Sequence, residues 1–358
     1  MKLQEKIQFH KPITTSREFF KDGVGIKCVH YGDIYKNYSG KTIPSSCIIN
    51  TFASAVASEK ILCCDSIIVP DVTETVSDWG HFTYIKYDGT PYINGTHAVA
   101  LTCQSEDELK YIFRYLSANY NRKRLQTLLN GSTVFQISIK DFGRFLLENY
   151  HESQDEQSHI VDILGTLDEK IENLEQKIQT LLKICELEYK VLISGKCCNA
   201  CLADIASVES GKRPITKESV PSNTINIPII GASDIMGYTN NILFDEPILV
   251  IGRVGTHGIV QPVFKSCWAS DNTLVIKSNY YAYVYNILKN IDYSSINKGS
   301  TQPLITQTDI RNTPVYIPEL NELRYFEEKH SMFLIQTYKD QIEKTQEIKN
   351  LFLQKFFG

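Results

Sequence analysis

The sequence predicts an α+β protein built from two tandem mixed α/β modules. Each module is followed by a long α-helix, and the two helices pair as an antiparallel coiled coil. Three observations predict this. The stretches "NGSTVFQIS" from Asn130 and "KGSTQPLIT" from Lys298 nearly repeat each other, 168 positions apart between Gly131 and Gly299. Weaker parallels precede each stretch in the same order, and internal repeats of this kind decide a fold before any single element does. Each half then closes on a long stretch almost free of Gly and Pro with apolar residues at 3- and 4-residue spacing. The expected layout is a first module over 1–150, a helix over 151–195, a second module over 196–318 and a second helix over 319–358.

In chain order, "YGDIYKNYSG" at Tyr31 parallels "ASDIMGYTNN" at Ala232, each with Asp-Ile after an apolar run, Ile26–Val29 and Ile227–Ile230. "LCCDSIIVP" at Leu62 parallels "LFDEPILVI" at Leu243, an acid followed by an aliphatic strand. "YINGTHAVAL" at Tyr92 parallels "WASDNTLVIK" at Trp268. Short β-branched runs cut by Gly, Pro and Asn-Asp read as strands. "EDELKYIFRYLSANYNRKRLQTLL" and "YYAYVYNILKNI" read as helices.

The first long helix shows a heptad seam through Leu164, Leu167, Ile171, Leu174, Ile178, Leu181, Cys185 and Leu192, with Glu188 as a polar intruder. Ser153 with Glu156 forms a capping box and Gly195 a stop. About 40 helical residues reach roughly 60 Å, enough to hold two domains apart. The second helix has a rougher seam: Leu323, Phe326, Phe333 or Leu334, Tyr338, Ile342, Thr345, Ile348 and Phe352.

Composition is ordinary for a globular chain of 358 residues, with 42% hydrophobic residues. No apolar run is long enough to span a bilayer and the N-terminus carries no apolar signal core, so a cytoplasmic protein without membrane contact is expected. Ten cysteines then read as reduced thiols. Cys197, Cys198 and Cys201 cluster in "KCCNACL", but no second Cys or His pair follows, so packed thiols are favoured over a metal site. The net charge of −4 is unevenly spread: +2 over 1–150, −6 over 151–195, +1 over 196–318 and −1 over 319–358. The acidity sits on the first helix, and near-neutral modules are compatible with DNA binding.

"VIGRVGTHGIV" is the most informative segment for chemistry. Its glycines allow close backbone approach, and Arg253, Thr256 and His257 beside them suit phosphates or base edges. A plain hairpin turn would look the same. "SVESGKRPIT" offers Lys212 and Arg213, and "YKNYSGKTIP" offers Lys36, Tyr38 and Lys41. Both suit phosphate contact, and solvated loops would look alike. Trp79 and His81 stand in "DVTETVSDWGHF", where Trp79 could anchor a core or touch DNA, and Asn272 lies in the Asp-Asn turn of "WASDNTLVIK". The phosphate-loop pattern GxxxxGK[ST] is absent. So are the dinucleotide-type loop and the Asn/Asp-Pro-Pro-aromatic motif that a methyltransferase needs, and no catalytic triad, HExxH or carboxylate pair stands out. The chain is expected to catalyse nothing by itself.

Together, "LADIASVESGKRPI", "IPIIGASDI", "ILVIGRVGTHGIV", "CWASDNTLVI" and "GSTQPLITQTDIRNTPVYIP" resemble the target-recognition domain of specificity subunits of type I restriction-modification systems. "EQSHIVDILGTLDEKIENLEQKIQTLLK" resembles the spacer helix of that family. The resemblance spans the chain as two domain-helix repeats and is looser in the first half, where "VPDVTETVSDWGHF" replaces "VIGRVGTHGIV". It implies that each module reads one half of a split, asymmetric site in double-stranded DNA. Two readers on one ruler should meet the same groove about 34 Å apart or at a multiple of that. It further implies that the spacers dock two adenine methyltransferase subunits, which bind the S-adenosylmethionine, and that restriction or translocase subunits join them. The chain itself then binds no cofactor. The recognition subunit of a type IIB-like enzyme, and a coiled-coil scaffold that does not bind DNA, are the competing readings.

Overall fold

A computed structural model of the chain describes residues 7–15, 19, 25–148, 153–254, 258–293 and 304–358. It divides into two compact units, Met1–Ile171 with Lys344–Gly358, and Glu172–Glu343.

In the first unit, strands β1 (Ile7–His10), β3 (Thr42–Pro44), β5 (Ser66–Pro70), β7 (Thr83–Lys86) and β9 (Ala98–Cys103) form one sheet in the order β1-β9-β5-β7-β3. All its pairs are antiparallel except β3 with β7. A smaller sheet has the order β4-β2-β8, from β2 (Ile26–Val29), β4 (Thr51–Phe52) and β8 (Tyr92–Asn94), with β2 and β8 parallel. Central strand β5 reads SIIVP and is buried throughout, the continuous apolar run expected of a strand covered on both faces. The helix Glu106–Ser117 starts where the Ser105 hydroxyl accepts from the Glu108 amide. Its first turn carries three acids at the positive end of the helix dipole. Leu109, Ile112, Phe113 and Leu116 form its buried stripe and join Ile67, Tyr84 and Leu101 in one core.

The second unit repeats this plan. Strands β12 (Ser207–Ser210), β15 (Ile248–Gly252), β16 (Val260–Val263) and β18 (Thr273–Lys277) form an antiparallel sheet in the order β12-β18-β15-β16. Strands β13 (Ile227–Ile230), β14 (Ile235–Thr239) and β17 (Trp268–Ala269) form the smaller sheet, with β13 and β17 parallel. The helix Tyr281–Asn290 takes the place of Glu106–Ser117 and is buried along most of its length.

The equivalence reaches single hydrogen bonds. Gly95 donates to the Val29 carbonyl as Ser270 does to that of Ile230, and Ala98 donates to Gly95 as Thr273 does to Ser270. The Asp-Ile parallel does not hold in shape. After Asp33 the chain continues as a wide π-helical turn over Ile34–Tyr38, whereas Asp234 leads into strand β14.

The opening repeat acts as a clasp. In the first unit Asn130 and Gln136 exchange backbone hydrogen bonds. Strand β10 (Phe135–Gln136) then pairs with β6 (Val72–Thr73), and Ile137 donates to the Asp71 carbonyl at 3.1 Å. In the second unit Leu304 bridges Val254, and Ile305 donates to the Arg253 carbonyl at 3.0 Å. Gly299, Ser300 and Thr301 lie outside the described residues. Helix caps follow in both copies: the Ser138 hydroxyl accepts from the Asp141 amide, and Thr306 with Asp309 forms a full capping box.

The first long helix runs Gln154–Ile193 over 40 residues. Ser153 and Glu156 exchange the capping-box bonds, and Gly195 follows the end with φ +71°, a backbone state that suits glycine. Leu164, Leu174, Ile178 and Cys185 are buried, and Leu167, Ile171 and Leu181 half-buried. The second helix is not continuous. It divides into Leu320–Lys329 and Met332–Phe357 at His330 and Ser331. There the His330 ring packs on Phe326 and its Nε2 meets Glu188 at 2.9 Å. Glu188, the intruder in the seam, accepts from both His330 and Lys329, and these bonds lower its pKa.

The break changes the expected register. Phe333 and Leu334 are exposed, while Met332 and Ile335 are buried. Tyr338 and Ile342 pack against the core. Ile348 is 45% exposed and leaves the seam, and Phe352 is half-buried beside buried Leu353 and Phe357. Lys349 takes the inward place because its ammonium reaches Asp168 at 2.6 Å. Within the second unit the helices run antiparallel, since Lys177 stands over Tyr338 while Glu188 meets Lys329 and His330.

Candidate nucleic-acid interface

The sheet registers bring the candidate loops of each unit to one sheet end. In the second unit Ser210 pairs with Leu274 and Gly252 with Thr273. The segments after β12, after β15 and before β18 therefore share an end, and these carry Lys212, Arg213, Arg253 and Asn272. Backbone bonds tie them together. Gly211 donates to Thr273, Lys212 to Ala269, and Arg253 to the Asn272 carbonyl at 3.0 Å. The Trp268 indole donates to the Lys212 carbonyl at 2.7 Å. A Cβ at Gly211 would stand 2.1 Å from the Ser270 carbonyl oxygen, so only glycine lets these loops close. Lys212, Arg213 and Asn272 are exposed and Arg253 is half-buried. Thr256 and His257 lie outside the described residues.

In the first unit the corresponding end carries Lys36 and Lys41 before β3, Asp71 after β5, His81 before β7 and His97 before β9. Lys36 and Lys41 are exposed, and Lys41 also reaches the Asn37 carbonyl. His81 is half-buried, bonded through Nδ1 to the Ser39 hydroxyl and edge-on to Tyr35. Burial, with Arg122 nearby, lowers its pKa, which favours the neutral ring. Tyr31, Tyr35 and Lys36 line a cleft of about 690 Å³ with Asp33, Thr75 and Asp78.

Burial decides two of the candidate aromatics: Trp79 takes the core-anchor alternative, and Tyr38 is withdrawn from phosphate contact. Trp79 is fully buried, donates its indole N–H to the Pro70 carbonyl at 2.9 Å and packs edge-on against Phe82. Tyr38 is 4% exposed, and its hydroxyl accepts from the Ile49 amide at 2.8 Å. Both are core residues, because their polar atoms are satisfied inside the unit and their rings are large apolar surfaces. The cysteine cluster also differs: Cys197, Cys198 and Cys201 are exposed thiols, not packed ones. Among the described residues no group of three or more His, Cys, Asp or Glu side chains could hold a metal ion, and no helix is long and apolar enough to cross a membrane.

The family described as the type I restriction modification DNA specificity domain matches the chain twice, over residues 31–183 and 198–351. The chain belongs to this family. It is a DNA sequence-recognition subunit with two recognition domains, and the candidate loops lie at equivalent sheet ends of the two copies. The solved structure of the type I restriction-modification S subunit from M. genitalium aligns over 100% of this chain and 95% of that one, with a TM-score of 0.60 and 15% identity. It shares the fold. A structure from work on assembly and conformational transition of the type I restriction-modification system aligns at TM-score 0.35 and 13% identity, covering 98% of this chain and 97% of that one. The HsdS subunit from Thermoanaerobacter tengcongensis aligns at 0.29 and 14%, covering 91% and 92%. No curated protein sequence matches the chain significantly.

Neither Asp71 nor His97 was among the DNA-contact candidates read from the sequence. His97 has φ +59°, unusual for a residue other than glycine. Its Nδ1 meets Asp71 Oδ1 at 2.9 Å, and its ring stands edge-on to Tyr31.

Proposed function

We infer that the chain reads a bipartite, asymmetric site in double-stranded DNA, one half per module, and acts as a non-catalytic component of a methyltransferase and restriction complex. The observation that carries this is the duplicated sheet end. Equivalent backbone bonds hold Arg253 and Asn272 in one copy and Asp71 and His97 in the other, with exposed Lys212 and Arg213 at that end of the second unit and exposed Lys36 and Lys41 and half-buried His81 at the same end of the first. Cations of this kind position a protein on phosphates, and Arg and Asn read purine edges. The long helices serve as the spacer that sets the gap and docks two methyltransferase subunits, with restriction or translocase subunits joining that core in the cytoplasm. A stripe of Ile184, Leu187 and Val191, exposed at 3- and 4-residue spacing, supports docking on the first helix. Methyl transfer, and the S-adenosylmethionine it consumes, belongs to the partner.

A genome-wide adenine-methylation map of cells expressing the chain with its methyltransferase tests this. The expected result is one split motif with a fixed gap, of which exchanging residues 196–318 changes a single half. Assembly of the complex without any new motif would favour a scaffold that does not bind DNA.

A further inference from the structure

The two sheet ends can be matched residue by residue. Residues Ile67–Pro70 of β5 pair with Leu101–Ala98 of β9, and Leu249–Gly252 of β15 pair with Ile276–Thr273 of β18. The residue after each central strand is therefore equivalent: Asp71 in the first module and Arg253 in the second. Its amide donates to the carbonyl of His97 in one copy and of Asn272 in the other. Its carbonyl accepts from the repeated clasp, Ile137 in one copy and Ile305 in the other. Four backbone bonds thus place an anion in the first module where the second places a cation, and a histidine where the second places an asparagine.

We propose that Asp71, held by His97, is the specificity-determining residue of the first module, and that it accepts a hydrogen bond from the exocyclic amine of a cytosine in that module's half-site. This rests on the DNA-recognition reading above. The Asp71 side chain is 27% exposed and that of His97 47% exposed, so both are reachable from solvent. One carboxylate oxygen meets the His97 ring, which leaves the other as the acceptor offered to a base. A carboxylate is an acceptor only, so it suits the N4 amine of cytosine and repels guanine, whose major-groove edge offers only acceptors. The left-handed backbone of His97 is the kind of local strain found where a side chain must be aimed. Arg253, with donors only, has the opposite preference and suits guanine. The two half-sites should therefore differ at the equivalent base.

The test is the methylation motif of the whole complex carrying Asp71→Ala, Asp71→Asn or Arg253→Ala. Asp71→Ala should lose about 5- to 150-fold of its discrimination at one cytosine, in one half of the motif. Asp71→Asn should move preference at that position toward adenine, because an amide both donates and accepts. Arg253→Ala should relax a position in the other half. The half read by the unaltered module reports that the complex is folded and bound. An unchanged motif in both Asp71 variants, or relaxation at a position other than cytosine, overturns the assignment. A wild-type complex without sequence-specific methylation overturns the DNA-recognition reading itself, and this assignment with it.

Discussion

Asp168 offers a direct test of what joins the first module to its helices. Its carboxylate takes an ion pair from Arg114, on the helix covering the sheet, and another from Lys349 on the C-terminal helix. The two cations are 12% and 13% exposed and Asp168 is 29% exposed. Burial lowers the Arg114 pKa, and Asp168 opposes that shift. Removing one member of a buried ionic cluster leaves uncompensated charge and costs about 3–5 kcal/mol. Partial exposure of Asp168 places Asp168→Ala at the lower end, about 3 kcal/mol. Replacing all three residues, as Arg114→Met, Asp168→Leu and Lys349→Met together, removes the desolvation penalty too. That variant should lie within about 1 kcal/mol of wild type or be more stable. Urea unfolding of the full chain, followed by far-UV circular dichroism, measures both. An Asp168→Ala cost below about 1 kcal/mol, or a triple variant as unstable as the single one, would refute the reasoning.

Trp79→Phe should cost about 1–3 kcal/mol, through the lost indole bond to Pro70 and the smaller ring, with the methylation motif unchanged. Reduced DNA affinity at unchanged stability would return Trp79 to the interface. Glu327 holds the amides of Ala282 and Tyr283 at 3.0 and 2.7 Å, and burial raises its pKa against those bonds. The folded chain then keeps this proton to higher pH than the unfolded chain does. The contribution of the group to stability is present at low pH and falls as pH rises from the ordinary glutamate value, about 4.3, through the folded one. The slope is at most about 1.4 kcal/mol per pH unit. Melting temperatures between about pH 4 and 7 should show Glu327→Gln to be flatter than wild type; equal slopes would show that Glu327 does not carry the dependence.

The strands and the duplicated plan were legible because both rest on apolar runs cut by Gly, Pro and Asn-Asp, and such patterns report burial directly. Side-chain direction within a polar loop was not legible. Tyr38 and Trp79 stand among Lys, Asp, Ser and Thr, yet both turn inward, because a large ring near a sheet end gains more from the core than from water. The register after His330 was hidden for another reason: neither Gly nor Pro marks the break, which rests on the distant partner Glu188. Asp71 and His97 were missed by one position. Matching Tyr92 with Trp268 without a gap sets Asn272 opposite Thr96, whereas the hydrogen bonds match Trp268 with Ile93 and Asn272 with His97.

That one-position slip bears on how one scaffold can read two different half-sites. At positions 71 and 253, and at 97 and 272, the main chain is held by backbone bonds that do not involve the side chains. Side chains there can differ in charge and shape while the same strand ends stay in place, as Asp against Arg and His against Asn already do. Gly211 and Trp79 are the opposite case, since one admits no Cβ and the other fills the core. Exposed surface substitutions away from such features usually change stability by less than about 0.5 kcal/mol, whereas a base contact is worth about 1–3 kcal/mol. Reading and folding are therefore separable at 71, 253 and 272, restricted at 97 by its left-handed backbone, and inseparable at Gly211 and Trp79. If Asp71 and Arg253 read bases as proposed, their opposite charges at the same rim position are enough to make the two half-sites differ, without any difference in fold.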